Sequence, residues 1–144
     1  MTFVPVNFDD AQEPKPAQPG VYDLQITAAE EKETGPNSKH PGSPQLKITL
    51  GFENEPNTPN ITHYISLPYQ GDESANFKAL LLKRFLVHFK VPFDSNGIDT
   101  ERVCMDMVGA SARTEVSLTE PNPETGAVYN RAILPRLRDE GNQR

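Results

Sequence analysis

Apolar and polar residues alternate with a period of two in several separate stretches of this chain. The clearest is Leu46, Ile48, Leu50 and Phe52, opposed by Lys47, Thr49 and Glu53. Such alternation marks a strand with one buried and one solvated face. After Gly20, Tyr22, Leu24, Ile26 and Ala28 alternate with Val21, Asp23, Gln25 and Thr27, predicting a first strand that runs into Glu30-Glu31-Lys32-Glu33. A third strand spans residues 61–67, with Ile61, Ile65 and Leu67 inward and Thr62, Tyr64 and Ser66 outward. A fourth runs from Val108 to Leu118, where Val108, Ala110, Ala112, Val116 and Leu118 share one parity. A fifth covers Val128 to Leu134, and its facing is ambiguous, since Val128, Ala132 and Leu134 compete with Tyr129 and Ile133.

Between the third and fourth strands the period changes. Phe77, Leu80, Leu81, Phe85 and Phe89 recur at helical spacing, predicting a helix with one apolar face. Asp72 is the expected N-cap, and Pro92 ends the helix near residue 90. Lys78, Arg84 and His88 fall largely off that face. Residues 100–107 read as a short helical turn with Val103 and Met107 inward.

The connections are rich in turn formers. Thr34 to Pro44 holds Gly35, Pro36, Asn37, Pro41 and Gly42, and Asn122-Pro123-Glu124-Thr125-Gly126 reads as a hairpin loop. Residues 1–19 form an arm that Pro5, Pro14, Pro16 and Pro19 keep out of helix. Phe3 and Phe8 are expected to tack this arm onto the body. Residues 20–135 make the folded domain, and 136–144 a polar tail.

The element order is three strands, a helix, and two strands. A helix that plugs one end of a five-stranded Greek-key barrel gives this order, which is the OB arrangement. A small α+β sheet with the helix across one face is the structural rival.

Composition narrows the function. The net charge of −6 argues against a surface built for tight, non-specific duplex binding. It leaves room for a local basic groove on an acidic body. The single cysteine, Cys104, rules out an intramolecular disulfide. The first residues lack a basic segment followed by an apolar run, so no signal peptide is expected. No stretch reaches the ~20 apolar residues of a membrane helix, so no membrane partner is expected and a cytoplasmic location is. His40, His63, His88 and Cys104 are scattered without the close spacing of a zinc site. No cofactor, metal or catalytic constellation is expected, so the chain does not read as an enzyme.

Single-strand binders combine stacking rings with cations that follow the phosphates. The candidate rings are Tyr64, Tyr69 and Tyr129. The candidate cations are Lys32, Lys39, Lys47, Arg113 and Arg131, with Lys47, Arg113 and Arg131 expected to form one stripe across the barrel. The bland alternative is an ordinary solvated face with Glu53 and Glu115 as counter-charges.

A resemblance points the same way. Gly20-Val21-Tyr22-Asp23-Leu24-Gln25-Ile26 followed by Glu31-Lys32-Glu33-Thr34 resembles the first strand of a family of small phage-encoded proteins. The likeness continues through Leu46-Lys47-Ile48-Thr49-Leu50, the run from Phe77 to Leu86, Val108-Gly109 and Tyr129-Asn130-Arg131. Many members are domains of unknown function found among phage replication and recombination genes. Others resemble OB-fold single-stranded-DNA-binding proteins. The resemblance implies sequence-tolerant binding of single-stranded DNA in the host cytoplasm, with replication or recombination proteins as partners. Arg136, Arg138 and Arg144 give a mixed tail in place of the acidic tail of the bacterial single-strand binders. A protein-interaction module without nucleic-acid binding is the alternative from another class. A homodimer fits either reading, because small barrels with exposed edges pair readily.

Overall fold

The computed structural model describes residues 2–9, 11, 13, 15–36, 41–55 and 57–137. Five strands, β1 (Gly20–Glu33), β2 (Pro44–Phe52), β3 (Ile61–Ser66), β4 (Ser111–Leu118) and β5 (Asn130–Ile133), form one antiparallel sheet in the order β3-β2-β1-β4-β5. Two helices, α1 (Ala75–His88) and α2 (Thr100–Met107), lie between β3 and β4. β1 pairs with both β2 and β4, and the outer strands β3 and β5 approach each other. The sheet is thus a nearly closed barrel, consistent with the OB type read from the element order.

The core follows the alternation. Leu46, Ile48, Leu50 and Phe52 of β2 are buried, as are Leu24 and Ile26 of β1, Ile61 and Ile65 of β3, and Val116 of β4. β1 departs from the sequence reading at one point. A bulge at Thr27 shifts the register between Ile26 and Ala28. The extra residue reverses the facing of everything after it. Ala28 therefore points outward and Ala29 packs against the core. Gly51 makes room for the bulge, because a Cβ there would sit 3.2 Å from the Thr27 methyl.

The helix also departs. α1 begins after Ser74, with no side-chain cap, rather than at Asp72. The Asp72 carboxylate instead accepts from the Ser74 N–H (2.9 Å) and pairs with Lys78 (2.6 Å). The buried face is Leu82, Phe85, Leu86 and Phe89, while Phe77 is 60% and Leu81 36% exposed. Rotating the buried face onto 82 and 86 draws Lys78, Arg84 and His88 partly inward. The Phe85 and Phe89 rings meet at a tilt with centroids 4.7 Å apart within the core, and the His63 ring stacks on Phe85 at 5.4 Å. α2 buries Val103, Cys104 and Met107 and is capped by Asp99, which accepts from the Glu101 and Arg102 N–H groups. β4 starts at Ser111 rather than Val108. Val108 is exposed, and Gly109 turns the chain with φ +95° before Ala110 enters the core.

Burial lowers the pKa of His63 and of His88 from the ordinary value of 6.5. His88 is held by Thr114: the Thr114 hydroxyl donates to the Ala112 carbonyl (3.2 Å), leaving His88 Nε2–H to donate to Thr114 Oγ1 (2.9 Å). With folded pKa values below the unfolded ones, stability is fully present above about pH 6.5 and falls as pH drops through that value toward the folded pKa values. The urea midpoint is expected to be lower at about pH 5.5 than at about pH 7.5, and the gap is expected to shrink in His63→Gln/His88→Gln. Equal pH dependence in both proteins would contradict the assignment.

β5 resolves its own ambiguity through Asn130. The Ala17 N–H donates to Asn130 Oδ1 (2.7 Å), and Asn130 Nδ2 donates to the Ala17 and Ser117 carbonyls (2.8 and 3.3 Å). With Asn130 turned in, Ala132 and Leu134 pack on the core, and Tyr129, Arg131 and Ile133 face out. The clasp also anchors the root of the N-terminal arm, where Ala17 is buried. Phe3 and Phe8 do not tack the arm down, as both are almost wholly exposed. Asn130→Ala removes three hydrogen bonds and is expected to cost about 1–3 kcal/mol, read from urea unfolding. A change below about 0.5 kcal/mol, typical of a plain surface substitution, would show the clasp to be idle.

Candidate nucleic-acid interface

The ladder registers place the outward side chains in rows across the barrel. Lys47 on β2 stands between Glu30 on β1 and Tyr64 on β3. The next row is Lys32, Gln45 and Ser66. Neighbours directly across a ladder lie about 5 Å apart at Cβ. Lys47 and Tyr64 are therefore adjacent on one face, with Lys32 two residues along β1 from Glu30. Tyr64 is 53% exposed, leaving its ring free to meet a ligand.

Beyond Tyr64 the surface dips into a groove of about 430 Å³ between β3, α1 and the end of β5. Phe77, Lys78, Leu81 and Arg84 come from α1, and Leu134 closes the far side. This groove marks the seam where β3, paired only to β2, faces β5, paired only to β4. The Arg84 Nε–H is buried there with no acceptor among the described residues. Lys78 is already engaged, by Asp72 and by the Tyr69 ring, whose centroid lies 4.6 Å from the ammonium. That hydrogen bond from Lys78 holds the Asp72 carboxyl below its usual range. Tyr69 is thus a partner for Lys78 at the groove's edge, only partly exposed.

The expected stripe of Lys47, Arg113 and Arg131 does not form. Lys47 pairs across from Glu30, and Arg113 from Asp23, seven positions earlier on β1. At ~3.3 Å per residue this separates them by about 23 Å along the strand. Arg113 is moreover tied to Asp23 at 3.4 Å. Arg131 sits opposite Ser117 on the far edge strand, and Tyr129, 64% exposed, precedes it in the loop that joins β4 to β5. Lys39 and His40 lie outside the described residues.

Three contributors were missed in the sequence: Phe77, Leu81 and Arg84. Phe77 and Leu81 look like core residues because they fit a helical stripe. Only the rotation of α1 exposes them.

Among the described residues, no three His, Cys, Asp or Glu side chains gather into a metal-holding group. Burial pushes the Cys104 thiol pKa up, and the carboxylates of Glu31 and Glu30 add to the rise, so the thiolate nucleophile is disfavoured there. No helix among the described residues is long and apolar enough to cross a membrane. The fold and this surface define an OB-type barrel carrying an aromatic–cationic face beside an open seam. No family model matches the chain, and no curated protein matches it significantly.

Proposed function

We propose that this chain binds single-stranded DNA across the outer face of β2 and β3, through base stacking and a few phosphate contacts. The observation that carries the reading is the adjacency of Lys47 and the exposed ring of Tyr64. OB barrels present this strand face to oligonucleotides. Phe77 and Arg84 extend the face into the groove with a second ring and a second cation. Stacking accepts any base, so binding is sequence-tolerant. Glu30 beside Lys47 and the net charge of −6 keep the electrostatic share small. A role in phage replication or recombination follows from the resemblance described above, and the partners would then be the proteins of those processes.

The test is fluorescence anisotropy of a labelled oligo-dT of about 30 nucleotides, titrated at several salt concentrations and competed with duplex. With about three phosphates neutralised, by Lys32, Lys47 and Arg84, log K is expected to fall against log salt with a slope of about −2. Duplex is expected to compete poorly because its bases are not free to stack. Absence of binding at low salt, or equal competition by duplex, would sink the proposal.

A further inference from the structure

The N-terminal arm carries an unusual load of uncovered apolar surface. Phe3, Val4, Val6 and Phe8 are 89%, 65%, 56% and 79% exposed. Single exposed apolar residues are ordinary, but four within six positions form a patch that calls for a cover. The acids that follow, Asp9, Asp10 and Glu13, make the segment negative, with no Lys or Arg before Lys15.

The seam groove is the complement of this segment. It offers the apolar surfaces of Tyr64, Phe77 and Leu81, all solvent-exposed. It holds the Arg84 guanidinium, whose buried Nε–H meets no acceptor among the described residues. The charged side chains lining it are Lys78 and Arg84, with Asp72 tied to Lys78 at the rim. Its walls are the outer edges of β3 and β5, which among the described residues are joined by no ladder to each other.

We infer that residues 2–9 of one copy dock in the seam groove of a second copy. The arm leaves its own groove uncovered. Its root at Ala17 is clasped to Asn130, four residues before Leu134 in the groove wall, and the chain turns after Phe8, where the Ala11 N–H donates to the Phe8 carbonyl (3.2 Å). Phe3, Val4, Val6 and Phe8 nonetheless stay exposed, so the cover they need is the groove of a second copy. The groove shares Tyr64, Phe77 and Arg84 with the proposed nucleic-acid face, so the inference is tested in the absence of nucleic acid.

The experiment uses the full chain, two charge-inserting variants at exposed positions and one charge reversal at the half-buried Arg84, each checked for fold by circular dichroism. In sedimentation equilibrium the native chain is expected to self-associate. Phe3→Asp/Phe8→Asp (arm) and Phe77→Asp (groove) are each expected to weaken association at least tenfold, and Arg84→Glu to weaken it as well. The arm variant keeps an intact groove, and the groove variant keeps an intact arm. Mixed together, they are expected to form a complex of two copies although each alone is monomeric. A native chain that stays monomeric overturns the inference. So does an arm variant that still associates. A mixture that stays monomeric overturns docking in a second copy.

Discussion

Phe85→Ala is expected to lower the free energy of unfolding by about 3–5 kcal/mol, the range for truncating a fully buried aromatic ring. Phe85 is 0% exposed and sits between Phe89 at 4.7 Å and His63 at 5.4 Å. It joins α1 to β3 within the core, and the barrel has no smaller way to fill that space. Its neighbours are a second ring and a flat imidazole, neither of which can swing into the void without leaving its own contact. Since small domains are stable by about 5–15 kcal/mol in total, the variant should sit close to its unfolding threshold. Urea unfolding followed by circular dichroism measures the loss. Phe77→Ala is the matched control: its ring is 60% exposed, and the change should stay near 0.5 kcal/mol. Comparable losses at the two positions would mean that α1 is turned the other way, with the seam groove filled by its side chains.

That control bears on what could be read from the sequence. β2 was fully legible because four apolar residues alternate with polar ones and nothing interrupts the period. β1 was legible only as far as Ile26. A bulge is one extra residue without a fixed signature, and it hid the switch from Ala28 to Ala29. α1 was recognisable as a helix, but its orientation was not. Phe77, Leu80, Leu81, Leu82, Phe85, Leu86, Val87 and Phe89 spread so far round the cylinder that two stripes compete, and periodicity selects neither. Packing against the barrel selects Leu82 and Leu86. The facing of β5 was undetermined for a related reason: it is set by the long-range clasp between Asn130 and Ala17.

The candidate site divides along the same line. Outward parity placed Lys47 and Tyr64 on exposed faces of their strands, and the ladder then brought them side by side. Parity says nothing about position along a strand. Lys47 and Arg113 therefore shared an outward face in the sequence reading while pairing with opposite halves of β1. A groove built at a seam is harder still to foresee, since its walls come from α1, β3 and the chain after β5.

Tyr64→Ala is expected to weaken oligo-dT binding by about 1–3 kcal/mol, which is roughly 5- to 150-fold. The ring is half exposed and ladder-paired to Lys47, so its removal takes away a stacking surface at little cost to the core. Tyr64→Phe keeps the stacking face and is expected to retain most of the affinity. Lys47→Ala acts through a different physical quantity. It removes one phosphate contact, so the salt dependence should become shallower by about 0.7 in the log–log slope. The two substitutions thus separate stacking from charge on neighbouring residues. Anisotropy titrations of the variants at two or more salt concentrations read both quantities. If Tyr64→Ala binds as the native chain does while Lys47→Ala loses affinity, the strand crosses the barrel as a polyanion without stacking on this face. If neither changes, the β2–β3 surface is not the nucleic-acid site. The Lys47–Tyr64 adjacency would then be an ordinary cross-strand pair, in which the Lys47 stem covers the side of a ring.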